Sequence, residues 1–282
     1  MYTRIVPFVK DFLYNQGMKT ISASRPDHPL RQDLFPRSSR YDPEWVFENN
    51  MGPNVLWLTE WLAEEMRLEP GMRVLDMGCG RAISSVFLRA EYGVEVWAND
   101  LWISATENWE RIRDTGFEDM VHPIHAEAHA LPYAEGFFDA ALSLDSWQYY
   151  GTDELYLGYF HKFVKAGGRI GIVVPGLKKD FPGGSVPAHL SRRQRSGGVF
   201  WAWDCVSFHT AEWWSRFLSR YPFTRLETCD AMKDGGRLWE SWERALDAWG
   251  GKKMFPSDLE SVSADNDEYL TFIRAVVRRV EE

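Results

Sequence analysis

Basic residues are in short supply. The chain has 282 residues with 32 Lys and Arg against 41 Asp and Glu, a formal net charge of -9. That balance argues against a surface built to grip a nucleic-acid backbone, because neutralising phosphates takes clustered cations. Cysteine is scarcer still. Cys79, Cys205 and Cys229 are odd in number and far apart, so they form neither a disulfide framework nor a zinc-ligand spacing, and they accord with a reducing cytoplasm. Long apolar runs are also missing. The longest, residues 170–175, falls far short of the roughly 20 residues that a bilayer span requires. Residues 1–19 are interrupted by Arg4, Lys10 and Asp11 and do not read as a signal peptide. What is abundant is core-forming material, 45% hydrophobic residues including 14 Trp, enough for one large domain and an added cap.

The segment that organises the chain is residues 73–82. Val74 and Leu75 form an apolar run that ends in Asp76 and breaks into Gly78-Cys79-Gly80, the pattern of a buried parallel strand turning sharply into a helix, here over residues 83–92. Two glycines allow unusual backbone dihedrals and let a ligand lie against the chain. The dinucleotide fingerprint G-x-G-x-x-G fails, because Ile83 stands at its third glycine. An acid two residues before the first glycine would repel a diphosphate and suit a cationic amino-acid ligand.

These residues resemble the first motif of the class I S-adenosylmethionine-dependent methyltransferases, (D/E)-x-G-x-G-x-G, through Asp76, Gly78 and Gly80, with Ala82 in place of the last glycine. Further segments match in order. A second strand ends in Asp100, where an acid beside the glycine turn can accept hydrogen bonds from ribose hydroxyls, although the same acid could merely cap a helix. Leu101 and Trp102 would border the adenine. Ala126-Glu127-Ala128 and the loop to Tyr133 resemble the family's next segment, with Glu127 for the usual Asp; Glu127 would accept from the adenine amino group and Ala128 would donate to the ring. A fourth strand ends at Asp145, a candidate cofactor contact that could also bind an acceptor amine or act as a base, with a helix cap as the plain alternative. The turn Lys165-Ala166-Gly167-Gly168 resembles the family's Lys-Pro-Gly-Gly before the fifth strand.

The resemblance implies an α/β, Rossmann-like, seven-stranded and mostly parallel sheet with helices on both faces and the last strand (residues 270–280) antiparallel. Residues 20–50, rich in Pro, Ser and Arg, read as a loop or lid, so that residues 1–50 form an N-terminal lid segment and residues 51–282 the methyltransferase domain. Tyr41 and Met51 could fold over the cofactor, though packing explains them as well. A Gly-, Pro- and Arg-rich insertion of about residues 176–212 is too long for a plain connection and reads as a substrate cap. Helices are expected at 155–164 and 211–220, the second capped by Thr210.

Transfer from a sulfonium is an in-line displacement that needs alignment in a dry site, not a metal or a covalent nucleophile. His122, His125 and His129 look like scattered loop histidines rather than a ligand set. Asp145 and His209 are the candidate catalytic residues, His161 a weaker one. Trp102, Trp147, Tyr150 and Trp203 are candidate substrate contacts, able to stack a planar acceptor or hold a cationic amine. The sequence thus points to a cytoplasmic enzyme that uses S-adenosyl-L-methionine to methylate a small-molecule acceptor. A nucleic-acid methyltransferase and a non-catalytic cofactor-binding protein are the alternatives. The acceptor's identity and the oligomeric state, a homodimer being one option, stay open.

Overall fold

The computed structural model describes residue 28 and residues 30–281. Residues 1–27, which hold the stretch tested for a signal peptide and more than half of the expected lid, lie outside it, as do residues 29 and 282.

Seven strands form one sheet: β1 (Arg73–Met77), β2 (Glu95–Asp100), β3 (Val121–His125), β4 (Phe138–Leu144), β5 (Val164–Leu177), β6 (Thr224–Ala231) and β7 (Leu270–Arg279). Their order is β3-β2-β1-β4-β5-β7-β6. Strands β1 to β5 run parallel, and β7 is antiparallel to both of its neighbours, giving the Rossmann-like arrangement expected. The chain builds outward from β1 through β2 and β3, then returns to place β4 on the other side. In an open sheet of this kind ligands bind at that reversal, outside the carboxyl ends of the strands.

The helices are α1 (Pro43–Glu48), α2 (Val55–Met66), α3 (Ile83–Tyr92), α4 (Ala105–Thr115), α5 (Tyr156–Phe160), α6 (Ala188–Ser191), α7 (Ala211–Leu218), α8 (Gly235–Trp249) and α9 (Leu259–Asp265). Local chemistry sets several starts. Asp42 caps α1 with Pro43 behind it, Asn54 accepts from Leu56 and Trp57, Ser104 and Glu107 make a reciprocal capping box, and Thr210 accepts from Trp213. Alternate strand residues part into two cores, as the two-residue period of a strand dictates. Val74, Leu142 and Val173 join the cluster that holds α2, α3 and α8; Leu75, Ala141 and Ile172 join the one that holds α5 and α7.

Two elements are shorter than their sequence pattern predicts. The helix expected over 155–164 is α5 followed by a 3-10 turn at His161–Phe163, and Val164 already belongs to β5. Helix α7 stops at Leu218. The described part of the expected lid, residues 30–50, is fastened to the domain: buried Glu60 accepts from the Arg37 and Ser38 amides and the Ser38 hydroxyl, Tyr41 packs on Phe87, and Phe47 stacks on Trp242 and Trp249. Tyr41 is therefore a core residue. The segment expected to form a cap, residues 176–212, packs with chain from outside it, since α9, from the β6–β7 connection, packs on both α8 and α6.

Asp76 joins β1 to α3. Its carboxylate is fully buried, and Oδ2 accepts from the hydroxyls of Ser84 and Ser85, both at 2.6 Å, in the first turn of a helix whose dipole favours an anion there. Burial pushes its pKa up to about 6, with the Asp100 charge adding to the rise and the two serine bonds opposing it. A carboxyl group that holds its proton more tightly when folded loses its contribution to stability as pH climbs from the ordinary value of 3.8 through about 6. Asp76→Asn cannot titrate. Denaturant unfolding at a series of pH values is expected to show the variant gaining on the parent by on the order of 3 kcal/mol between pH 4 and pH 7, and a flat difference would remove the buried charge from the account.

Candidate active site

At the chain reversal the glycine turn leaves β1 with Gly78 at φ 74° and Gly80 at φ 54°. A Cβ on Gly78 would lie 1.9 Å from Ser146 Oγ, so both the dihedral and the space demand glycine. Ala82 stands in the left-handed region too, at φ 60°, at a cost of about 1–2 kcal/mol for a residue with a Cβ. The amides of Gly78 and Cys79 donate to the Asn99 carbonyl at 2.8 and 3.0 Å, and the Gly80 amide donates to Asp100 Oδ2 at 2.8 Å. Three successive N–H groups that would cradle a diphosphate in a phosphate-binding turn are thus taken up by the end of β2.

A cavity of about 260 Å³ opens beside this turn. Of the expected cofactor residues, Gly78, Cys79, Gly80, Asp100, Leu101, Glu127, Ala128 and Asp145 line it. Asp76 does not. Its side chain lies behind the turn among the serines of α3, so the direct contact with a cationic ligand expected from the sequence is corrected to support of the turn and helix. Asp100 is held in place by backbone: Oδ1 accepts from the Trp102 and Ile103 amides at 2.7 and 2.8 Å, and Oδ2 from Gly80. Asp100 thus organises the local backbone and faces the cavity, while the helix that follows is capped by Ser104 and not by Asp100. Glu127 stands two residues past β3, exposed, with its pKa lowered chiefly by the His129 side chain, whose Nδ1 lies 2.9 Å from Oε1. The Cys79 thiol is held well above its usual pKa by burial and offers no nucleophile.

Asp145 closes the far wall. It adopts φ 51° at the end of β4, an unfavourable conformation for a non-glycine residue, and its Oδ2 lies so near Gly52 that a Cβ there would be 2.6 Å away. Gln148 Nε2 donates to Oδ1 at 3.0 Å. Burial, then repulsion from Asp204, raise the pKa of Asp145 to about 7. Beyond it lies a second cavity of about 340 Å³, and Met51, Gly52, Pro53, Asp145, Tyr149 and Phe255 border both.

The other expected contacts are scattered. Tyr150 and Trp102 line the first cavity and not the second; the Trp102 ring, 58% exposed, leans on Tyr149 and Phe255. Trp147 is 1% exposed and packs on Tyr156 and Phe160 in the core. Trp203 is 84% exposed and borders neither cavity. His209 stacks on Trp213 with ring centroids 3.7 Å apart, and burial lowers its pKa; it lines neither cavity, and His161, stacked on Phe223, is equally remote. His122, His125 and His129 bond to Glu95, the Leu101 carbonyl and Glu127 respectively.

Sequence reasoning missed several lining residues. Asn99 is fully buried between the Ala126 carbonyl and the Tyr133 hydroxyl. Arg81 donates through Nη1 to the Glu48 carbonyl, while its Nε is buried with no partner among the described residues. Gly52 and Pro53 follow Met51, which the sequence did offer as a residue over the cofactor and which lines both cavities; Trp242 Nε1 of α8 donates to the Gly52 carbonyl at 2.8 Å. Glu243 had a legible signal. It sits four residues after Trp239 and three before Leu246, an acid on the apolar stripe of α8.

The family profile described as "Methyltransferase domain" matches residues 75–172. Methyltransferase GfsG of Streptomyces halstedii is 29% identical over 160 residues, 56% of this chain and 55% of that protein. Sarcosine/dimethylglycine N-methyltransferase of Halorhodospira halochloris is 32% identical over 130 residues, 45% of this chain and 46% of that protein. The chain thus spans about half the length of these curated relatives. Phosphoethanolamine N-methyltransferase 2 of Haemonchus contortus, solved in complex with S-adenosyl-L-methionine, superposes with a TM-score of 0.61 at 14% identity, over 84% of this chain and 56% of that one; at that identity the likeness is one of fold. Residues 75–172 thus match the profile of a methyltransferase domain, and the sheet that holds them has the fold of a solved methyltransferase that binds S-adenosyl-L-methionine.

Proposed function

We propose that the protein transfers a methyl group from S-adenosyl-L-methionine to a small-molecule acceptor. The observation that carries this reading is the wall common to two cavities, with Asp145 on it: one chamber suits a donor, the next an acceptor, and displacement needs the two in line. Two of these relatives are methyltransferases of small amines by name, which accords with it. When bound, S-adenosyl-L-methionine supplies an electrophilic methyl group on a sulfonium whose sulfur leaves with the bonding pair.

The chain's residues fit that donor. Three of the roughly four lone-pair positions on the Asp100 carboxylate are filled by amides, which leaves one on Oδ2 for a ribose hydroxyl rather than a pair of them. Gly78 and Gly80 let the nucleoside approach the backbone, while Leu101 and Trp102 border the base, and Glu127 with Ala128 meets its polar edge. The unpartnered Nε of Arg81 is assigned to the ligand's carboxylate. Asp145 receives the proton that the acceptor sheds. Among the described residues no helix is long and apolar enough to cross a membrane, and the three cysteines are free, as in a reducing cytoplasm.

Calorimetric titration with S-adenosyl-L-methionine tests the donor site. Asp100→Ala is expected to raise Kd about 10- to 150-fold, the loss of about 1.5–3 kcal/mol of charge-assisted bonding; equal affinity would dismiss the ribose role, and no heat with the parent protein would dismiss the reading altogether. Asp145 has to be ionised to accept a proton, so turnover is expected to climb as pH rises through about 7. In Asp145→Asn, kcat should fall about 10²- to 10⁴-fold and that arm of the pH profile should vanish. A variant that keeps the arm would move the base elsewhere.

A further inference from the structure

The second cavity has a lining of two kinds. Phe200, Phe208, Trp239 and Leu246 supply apolar lining, and Asp145, Asp204, Glu243 and Asp258 supply acidic lining, with Glu243 set between Trp239 and Leu246 on one face of α8. Lys253 is the only cationic side chain among its described lining residues, and its ammonium group is already paired with Asp247. The Asp204 carboxylate has no hydrogen-bond or ion-pair partner among the described residues. These acids sense one another. On top of the larger effect of burial, Asp204 raises the pKa of Asp145 and of Asp258, and Asp258 raises that of Glu243, which reaches about 7. Lys253 is the one cation that opposes the rise at Glu243, and it is shared with Asp247, so the four carboxylates have less than one counter-charge between them.

An independent feature points to a hydrogen-bond donor at the same place. Gln148 is 5% exposed and lines this cavity. Its Nε2 donates to Asp145, which fixes the orientation of the amide and leaves Oε1 buried with no partner among the described residues. A buried acceptor of that kind is uncommon and costs stability until a donor reaches it. Among the described residues no three His, Cys, Asp or Glu gather closely enough to hold a metal ion. Spread carboxylates beside an unused carbonyl suit an organic cation with N–H groups.

We propose that this cavity is the acceptor pocket and that it selects an amine bound as its ammonium, carried on an apolar or aromatic body and bearing no anionic group. Asp204 and Glu243 supply the opposite charge, Gln148 Oε1 accepts one N–H, and Phe200, Phe208 and Trp239 cover the apolar body, with a ring face available to the cation. A carboxylate or phosphate on the acceptor would meet four acids and a lysine that is already engaged. The transfer itself rests on the methyltransferase reading; recognition of the cation does not.

The test uses the full chain and three probes of one shape, 2-phenylethylamine, 2-phenylethanol and 3-phenylpropionate, titrated calorimetrically at neutral to mildly alkaline pH. The amine is expected to bind at least about tenfold more tightly than the alcohol, and the carboxylate to give no heat. Asp204→Asn and Glu243→Gln should each erase most of that preference while leaving the alcohol's affinity unchanged, and circular dichroism checks that both variants fold. Equal binding of the three probes, tighter binding of the carboxylate, or no binding of any of them overturns the proposal. A parallel titration with S-adenosyl-L-methionine keeps the two readings apart. Heat there without an amine preference sinks the acceptor assignment alone, and an amine preference without that heat sinks the methyltransferase reading alone.

Discussion

Three backbone amides converge on the carboxylate of Asp100, one from the glycine turn and two from the segment after β2. Hydrogen bonds to a charged acceptor are stronger than neutral ones, and here they lash two adjacent strand ends into one rim. The turn cannot relax away from β2 without stranding a buried charge, and the segment that carries Leu101 and Trp102 cannot lift without releasing two donors. The rim of the first cavity is therefore held by the chain itself, and the amides bound to Asn99 and Asp100 are not available to a diphosphate.

Asp76, Asp100 and Asp145 all end, or nearly end, a parallel strand, and their surroundings give them three different characters. Asp76 is sealed behind the turn with two hydroxyls. Asp100 is saturated with amides on one oxygen and open by one lone pair on the other. Asp145, in a strained conformation against Gly52, has one amide partner and an acidic neighbour, so its carboxyl titrates near neutrality. Environment rather than residue type separates these three carboxyl groups.

The elements around the first cavity were largely legible in the sequence. Helix α3 falls on residues 83–92 as expected because Ala82 and Gly93, both left-handed, bracket it, and Asp42-Pro43 and Thr210 mark helix starts through local capping that needs no tertiary context. Which way a side chain points was harder. Trp102 and Trp147 each stand just past a strand end, yet the first leans over the cavity rim and the second folds inward on a 3-10 turn to fill the core. Asp76 was placed at the right turn on the wrong side of it, since a motif fixes a position along the chain and not the face that the carboxylate turns to. The second cavity joins residues 50–53, Asp145, the 198–208 segment, α8 and residues 253–258; the 176–212 insertion and Asp145 pointed toward it from the sequence, whereas α8 and residues 253–258 arrive only through tertiary packing.

The tie between Trp242 Nε1 and the Gly52 carbonyl joins two of those distant segments, one before the first strand and one between the last two. Residues 77–150 supply most of the wall of the first cavity and lie within the stretch that the family profile matches, residues 75–172. The neighbouring chamber has no such continuity. Its segments lie far apart in the chain and meet only through ties such as this one, so a substitution in one of them can reshape the second cavity without touching the glycine turn or the amides on Asp100.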